Sequence, residues 1–412
     1  MPLALKPAPS LTRQRGLCPP VPPCGTPAHC KGDGDGGARD IAPRVDSLTG
    51  LRFLAALAVF VHHFTGISSH GGVAHAPLLF PYSTMGVHGV GFFFVLSGFL
   101  LTWGHRPGTR AGLFYWRRIG RIGPAHIAAA VPCVWVFYLW GGIPTDDFSF
   151  LASVFLVQTW FPGVTPTLPG NPVSWTLGVE AFFYLLFPFL IRFALRPRTR
   201  TLALLACAGL AAMWAVNWWA ATHLSPFATE WIMRHPITRL PEFGAGMVCA
   251  LALRRGHRLR INPPAVALAF VAYAVVYCHR ETVDGPGPGQ LDWTVRPLVG
   301  AFAALLITAY VQRELAGRRG WLCSRPMVRL GLWSYAFYLL HQTLNRLYVD
   351  TWGQPQPANS ALFTLIGVAA VVTALSWAMF TYVEEPARKW WARHTPRALT
   401  VKRTAAQASW RA

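Results

Sequence analysis

The sequence predicts an all-α membrane protein with ten transmembrane helices and one short segment that does not span. Of its 412 residues, 53% are hydrophobic and only 13% are charged, and the mean hydropathy is +0.34. Soluble domains carry about 25% charged residues, so this balance is typical of a chain that crosses the membrane repeatedly. Apolar stretches near the length that a bilayer core requires lie at 51–69, 86–103, 122–141, 173–193, 201–220, 238–253, 264–279, 296–312, 328–348 and 360–382.

Arginine clusters in alternate loops predict the topology. They follow the second, fourth, sixth and eighth spans, whereas the other loops are nearly free of cations apart from Arg234. Cytoplasmic loops carry the excess of Lys and Arg, so both termini are predicted in the cytoplasm. Basic loops alternate with loops poor in cations along the whole chain only if residues 148–162 do not cross the membrane. Their length of about 15 residues is also too short for a comfortable span. We therefore interpret the net charge of +21 as topological and expect no nucleic-acid partner.

The chain divides into three predicted parts. Residues 1–41 are rich in Pro and Gly without periodicity, and they are expected to be a disordered cytoplasmic tail without a signal peptide. Residues 42–391 form the transmembrane domain, and residues 392–412 form a basic cytoplasmic tail. The eight cysteines are scattered, and His70, His75 and His88 lack metal-ligand spacing, so no disulfide framework and no metal site are expected.

Arg52 and His63 are the most informative pair in the first span. They are eleven residues apart, which is close to three full turns, so both side chains share one face of the helix. The rise between them is about 16 Å, roughly half of the bilayer core. Ionisable groups at this depth are costly and mark functional sites by default. His62 faces elsewhere and is predicted to be a packing or supporting group.

Acidic residues are rare within the predicted spans. Glu180 lies in the fourth span, with Tyr184 one turn deeper. Glu242 lies three residues after Arg239, a spacing that favours a structural ion pair. Glu180 is therefore the carboxylate that we predict for the site.

The ninth span carries one polar face. Ser334, Tyr338, His341 and Asn345 follow the spacing i, i+4, i+7, i+11 on an otherwise apolar helix. We expect His341 near the midplane together with His63 and Glu180. Interhelical hydrogen bonding that only holds the bundle together is the alternative interpretation of this face.

Arg118 and Arg121 lie one turn apart at the mouth of the third span, and Arg117 adds a third cation. Planar guanidinium groups are suited to bidentate contacts with phosphate. The alternative is that these arginines only fix the topology.

Seven sequence blocks stand out along the chain. They are, in order, DSLTGLRFLAALAVFVHH, GVGFFFVLSGFLLT, RRIGRIGPAH, VSWTLGVEAFFYLLFP, RLPEFGAG, LGLWSYAFYLLH and FTYVEEPARK. With these blocks in this order, the chain resembles the acyltransferase 3 family over roughly residues 45–391. Its members are integral-membrane O-acyltransferases that modify bacterial glycans and some macrolides, and the protein is therefore expected in the bacterial cytoplasmic membrane. Ser174 and Thr176 flank the Trp of the fourth block, in which the family has Trp-Ser-Leu-x-Val-Glu.

The resemblance implies an enzyme that takes an acyl group from cytoplasmic acyl-coenzyme A, with acetyl as the default, and holds no permanent cofactor. Its acceptor is expected to be a hydroxyl of a glycan or a secondary metabolite. His63 would act as general base with Glu180 tuning it, or would form a transient acyl-histidine. The donor would be bound by Arg52, Arg118 and Arg121. Supporting residues would be Ser97, Trp175, Tyr184, Tyr338 and His341.

Two other classes of membrane protein fit the pattern less well. A secondary transporter also places ionisable groups at the midplane, but it is expected to show internal repeats and broken helices. A glycosyltransferase acting on a polyprenol-linked sugar is expected to carry acidic residues in its first outer loop, and residues 70–85 contain none. Hydrolysis of acetyl-coenzyme A by the purified protein would separate the three classes.

Overall fold

The computed structural model describes residues 43–65, 82–164, 168–279, 289–353, 358–396 and 399. The predicted N-terminal tail, most of the predicted C-terminal tail, and His70 and His75 lie outside the described residues. Within the described ranges the chain is helical and contains no β-strand.

Thirteen α-helices are described, and we number them in chain order. They are α1 (Asp46–Thr65), α2 (Gly89–Trp103), α3 (Ala111–Cys133), α4 (Asp147–Val154), α5 (Trp175–Ala194), α6 (Thr199–His223), α7 (Pro226–Arg234), α8 (Pro236–Arg254), α9 (Pro263–Cys278), α10 (Gln290–Leu315), α11 (Arg325–Trp352), α12 (Ala358–Met379) and α13 (Glu385–Arg393). Three further helical segments adjoin them: a 3-10 helix before α2 (Tyr82–His88), a π-helix after α3 (Val134–Trp140) and a π-helix between α12 and α13 (Phe380–Glu384).

A helix occupies each of the ten predicted spans, and seven described helical stretches are long and apolar enough to cross a membrane. These are Asp46–Thr65, Tyr82–Trp103, Ala111–Trp140, Trp175–Ala194, Thr199–His223, Leu291–Leu315 and Ser360–Arg393. The all-helical membrane class is thus confirmed, and the count of ten spans stays a prediction. Helix α9 has only 16 residues. Helices α8 and α11 carry charged and polar side chains, many of them buried inside the protein, which lower their hydropathy.

The segment 148–162 holds no helix long enough to span. Helix α4 has eight residues, which rise about 12 Å. Its start is capped by Asp146, whose carboxylate accepts a hydrogen bond from the Ser149 backbone N–H at 2.8 Å. The chain then folds onto the start of α5, where Gln158 donates to the Ser174 hydroxyl at 3.1 Å. This geometry agrees with the predicted non-spanning segment.

Glycines bring α2 and α8 into backbone contact. A Cβ atom on Gly98 would lie 2.0 Å from the Phe243 carbonyl oxygen, and one on Gly246 would lie 1.9 Å from the Val95 carbonyl oxygen. Helices α1 and α11 approach in the same way, because a Cβ on Gly331 would lie 1.9 Å from the Thr49 carbonyl oxygen. Small residues allow such close approach of membrane helices. The second contact sets α1, with its arginine and histidines, directly against α11.

We expect Gly246→Ala to destabilise the protein, because the added methyl group meets the backbone of α2. Overpacking of this kind costs about 1–3 kcal/mol. Gly244 is the matched control on the same helix, since a Cβ there meets nothing within 4 Å. Gly244→Ala should be neutral or stabilising by up to about 1 kcal/mol. Denaturant unfolding in detergent would compare them, and equal stabilities of the two variants would contradict the backbone contact.

Candidate functional site

A cavity of about 360 Å³ lies between α1, α2, α3, α5 and α11. Four charged side chains line it, namely Arg52, Arg118, Arg121 and Glu180. Hydroxyl groups line it as well, from Ser97, Thr176, Tyr184, Ser334, Tyr335 and Tyr338. A cavity with several arginines and hydroxyls inside an apolar helix bundle is suited to a polar, anionic ligand.

The Arg118 guanidinium lies near two aromatic rings that contact each other edge to face. Its central carbon lies 5.6 Å from the Phe114 ring centroid and 5.7 Å from the Tyr184 ring centroid. Its Nε is buried and has no hydrogen-bond partner among the described residues. Arg121 follows one turn later on α3, whereas Arg117, the residue before Arg118, is exposed and does not line the cavity. Of these three neighbouring arginines, Arg118 and Arg121 line the cavity and Arg117 does not.

Glu180 is held by two hydroxyl donors. The Ser97 hydroxyl donates to Oε1 at 2.9 Å, and the Tyr184 hydroxyl donates to the same oxygen. Ser97 lies on α2, so this contact joins two helices, whereas Tyr184 is one turn along α5. A carboxylate with two such donors is fixed in orientation.

His63 and His341 form a hydrogen-bonded pair. His63 Nδ1 lies 2.9 Å from His341 Nε2, and His341 Nδ1 lies 2.7 Å from the Tyr338 carbonyl oxygen. A carbonyl only accepts, so Nδ1 of His341 carries the proton and Nε2 of a neutral His341 accepts from His63. This network leaves Nε2 of neutral His63 as the unprotonated nitrogen.

Tyr338 connects the histidine pair to the cavity. Its ring lines the cavity, and its centroid lies 5.6 Å from that of His341. Thr176 donates a hydrogen bond to the Tyr338 hydroxyl at 3.1 Å. His62, by contrast, lies with Nδ1 at 3.2 Å from the Ser83 carbonyl oxygen, on the 3-10 helix before α2. The structure therefore places the two neighbouring imidazoles in different surroundings, as the helix register predicts.

Seven of the ten predicted site residues line the cavity: Arg52, Ser97, Arg118, Arg121, Glu180, Tyr184 and Tyr338. Two more, His63 and His341, bind each other beside it. Trp175 lies elsewhere, with its ring under the Arg234 guanidinium at 5.5 Å. The pairing of Glu180 with His63 stays a prediction, because the donors described for Glu180 are Ser97 and Tyr184.

Two residues of the site were missed by the sequence argument. Tyr335 lines the cavity and donates from its hydroxyl to the Ile122 carbonyl oxygen at 3.1 Å. It is adjacent to Ser334, but the i, i+4 pattern selected only the neighbouring face of the helix. Glu384 is 8% exposed and interacts electrostatically with Arg121 and Arg52. Its place in the block FTYVEEPARK, at the end of an apolar span, was the signal that could have found it.

The chain resembles known proteins over most of its length. A family model described as an acyltransferase domain matches residues 45–381. The chain is 31% identical over 385 residues to the acyltransferase MdmB of Streptomyces mycarofaciens, covering 86% of this chain and 94% of that protein. It is 25% identical over 376 residues to the peptidoglycan O-acetyltransferase OatA of Listeria monocytogenes, covering 84% of this chain and 56% of that protein. No solved structure is significantly similar to the chain.

Proposed function

The chain belongs to the acyltransferase 3 family, and we propose that it transfers an acyl group, by default acetyl, from acyl-coenzyme A to a hydroxyl of a glycan or secondary metabolite. The observation that carries the proposal is the cavity that joins three arginines at one end to the His63–His341 pair beside Tyr338. Phosphate recognition and proton transfer are the two tasks that this reaction requires.

The donor is proposed to enter from the arginine end. Arg52, Arg118 and Arg121 would bind the phosphates of coenzyme A through charge-assisted hydrogen bonds. The thin pantetheine arm would then lie along the cavity and bring the thioester towards Tyr338. Glu180, fixed by Ser97 and Tyr184, would balance part of the positive charge near this arm.

The proton transfer is proposed for His63 Nε2. It would take the proton from the acceptor hydroxyl while that oxygen bonds to the thioester carbonyl carbon. The carbon–sulfur bond then breaks, and the proton returns to the coenzyme A sulfur, so that an ester and free coenzyme A leave. His341 would hold His63 in the required tautomer through the hydrogen bond to its Nδ1. A transient acyl group on His63 is the alternative route.

A glycan hydroxyl is the first candidate for the acceptor. OatA is by name a peptidoglycan O-acetyltransferase, and the name of MdmB states only that it is an acyltransferase. This chain spans only 56% of OatA. The likeness supports a sugar acceptor without specifying which sugar.

Both termini are proposed to face the cytoplasm, in the bacterial cytoplasmic membrane. Residues 104–121 and 254–260 should then be inside, and residues 70–85 and 281–295 outside. A cysteine introduced at exposed Arg106 should resist a membrane-impermeant thiol reagent added to whole cells, whereas one at Asp284 should react. Labelling of the Arg106→Cys protein from outside would overturn this topology and the non-spanning assignment of 148–162.

The proposed reaction is tested with purified protein and radiolabelled acetyl-coenzyme A. We expect saturable binding, slow hydrolysis without an acceptor, and faster consumption when a hydroxyl-bearing glycan is added. A secondary transporter would bind without consuming the thioester. Acetyl-coenzyme A that is neither bound nor consumed would refute the proposal for this donor.

A further inference from the structure

A second cation cluster lies apart from the donor arginines. Arg239 and Arg296 both interact electrostatically with the single carboxylate of Glu242, and Arg239 forms an ion pair with it at 3.2 Å, as the sequence predicted. Arg239 is 6% exposed and Glu242 is 1% exposed. Two guanidinium groups therefore share the carboxylate of Glu242 inside the bundle.

Unsatisfied guanidinium nitrogens mark the same place. The Nε atoms of Arg239 and Arg296 are buried, and neither has a hydrogen-bond partner in the described ranges. A buried charge without a partner is costly at membrane depth, and polar groups there are normally satisfied by protein or ligand. The cluster is therefore suited to a bound anionic group.

An apolar groove of about 540 Å³ includes Val299, which lies one turn after Arg296 on α10. The groove is bounded by α1, α9, α10, the 3-10 helix Tyr82–His88 and the start of α2. Most of the side chains that line it are aliphatic or aromatic. Along α1 it extends from Leu51 to Val61, which is about 15 Å of helix and matches the depth of one leaflet of a bilayer core of about 30 Å.

Two contacts connect the groove to the cluster. Val299, which lines the groove, follows Arg296 by one turn on α10. His88, which also lines the groove, hydrogen-bonds the Tyr277 hydroxyl at 3.4 Å, and Tyr277 interacts electrostatically with Arg296. Arg296 therefore lies near the end of the groove that is formed by the 3-10 helix.

We propose that this groove binds one anionic phospholipid of the surrounding bilayer, with its phosphate at Arg296 and one acyl chain along α1 and α10. The positive charge of Arg296 favours a lipid with an anionic headgroup. The length and apolar lining of the groove suit a single hydrocarbon chain. The site is separate from the donor cavity, because α1 and α2 present Arg52 and Phe93 to the cavity but Leu54 and Phe92 to the groove.

The experiment uses the full purified chain in detergent, titrated with dioleoyl phosphatidylglycerol or dioleoyl phosphatidylcholine. Thermal unfolding and native mass spectrometry report binding, and neither readout depends on acyl transfer. We expect phosphatidylglycerol to raise the unfolding temperature and to remain bound, and phosphatidylcholine to do so much less. Arg296→Gln should weaken the response to phosphatidylglycerol roughly tenfold or more.

Two further variants complete the design. Arg313 is an exposed arginine near the other end of α10, so Arg313→Gln should bind phosphatidylglycerol as the parent does. Ala58 is an exposed residue that lines the groove, so Ala58→Phe should reduce retention of the lipid by filling the space. Equal responses to the two lipids, or an unchanged response in Arg296→Gln, would refute the site. Retention of a polyprenyl phosphate but not of phosphatidylglycerol would also refute it, in favour of a lipid-linked acceptor.

Discussion

The His63→Ala protein should lose acyl transfer by about a hundred- to ten-thousand-fold, the usual contribution of a positioned general base. The reason is the hydrogen-bond network of the site. His341 donates to the Tyr338 carbonyl oxygen and accepts from Nδ1 of His63, so Nε2 of neutral His63 carries no proton. Membrane insertion should be intact, because one imidazole near the midplane is not a topology signal. The measurement is the rate of acetyl transfer by purified variant and parent at equal protein concentration.

His62→Ala is the matched control for this prediction. His62 neighbours His63 on the same helix, with ring centroids 5.2 Å apart, but its Nδ1 lies against the Ser83 carbonyl oxygen. The loss of transfer should therefore be much smaller in His62→Ala. Near-normal turnover by His63→Ala would remove the general-base role, and a larger loss in His62→Ala would assign the chemistry to the other imidazole.

The second large effect is expected at the donor arginines. Arg118→Ala and Arg121→Ala should each weaken binding of acetyl-coenzyme A about ten- to a hundredfold, since a charge-assisted contact contributes about 1.5–3 kcal/mol. Arg118→Lys should not fully restore binding, because an ammonium group lacks the planar two-point contact. An ammonium group would also interact differently with the nearby Phe114 and Tyr184 rings, because it lacks the planar guanidinium face.

Arg110→Ala is the control in the same region of the chain. Arg110 is exposed at the start of α3 and does not line the cavity, so its removal should leave donor affinity nearly unchanged. Equilibrium binding of acetyl-coenzyme A to purified variants decides the matter. If Arg118→Ala and Arg121→Ala bind the donor as tightly as the parent, these arginines serve only the topology.

Helical periodicity was sufficient to predict relations within one helix. The i, i+3 ion pair of Arg239 and Glu242 is present, and Tyr184 bonds Glu180 one turn away. The same reasoning placed Ser334, Tyr338 and His341 on one buried face of α11. Such relations follow from 3.6 residues per turn and need no knowledge of neighbouring helices.

Contacts between side chains on different helices could not be predicted from periodicity. The sequence indicated that His63 and His341 lie near the same depth, but it did not show that they bind each other across 278 positions. Nor did it show that Ser97 of α2 donates to Glu180 of α5, or that Trp175 packs on Arg234 away from the cavity. The two basic residues Arg117 and Arg118 look equivalent in sequence, yet only Arg118 lines the cavity.

By itself, then, the sequence determined the membrane class, the positions of the long helices, and which face of each helix carries polar groups, because these depend on local composition and periodicity. The order of its seven motif blocks indicated the family. The tertiary structure decided which of these faces meet. Backbone contacts at Gly98, Gly246 and Gly331 set α2 against α8 and α1 against α11. The contact at Gly331 fixes how α1 and α11 are rotated and staggered against each other, and so it decides that His63 meets His341.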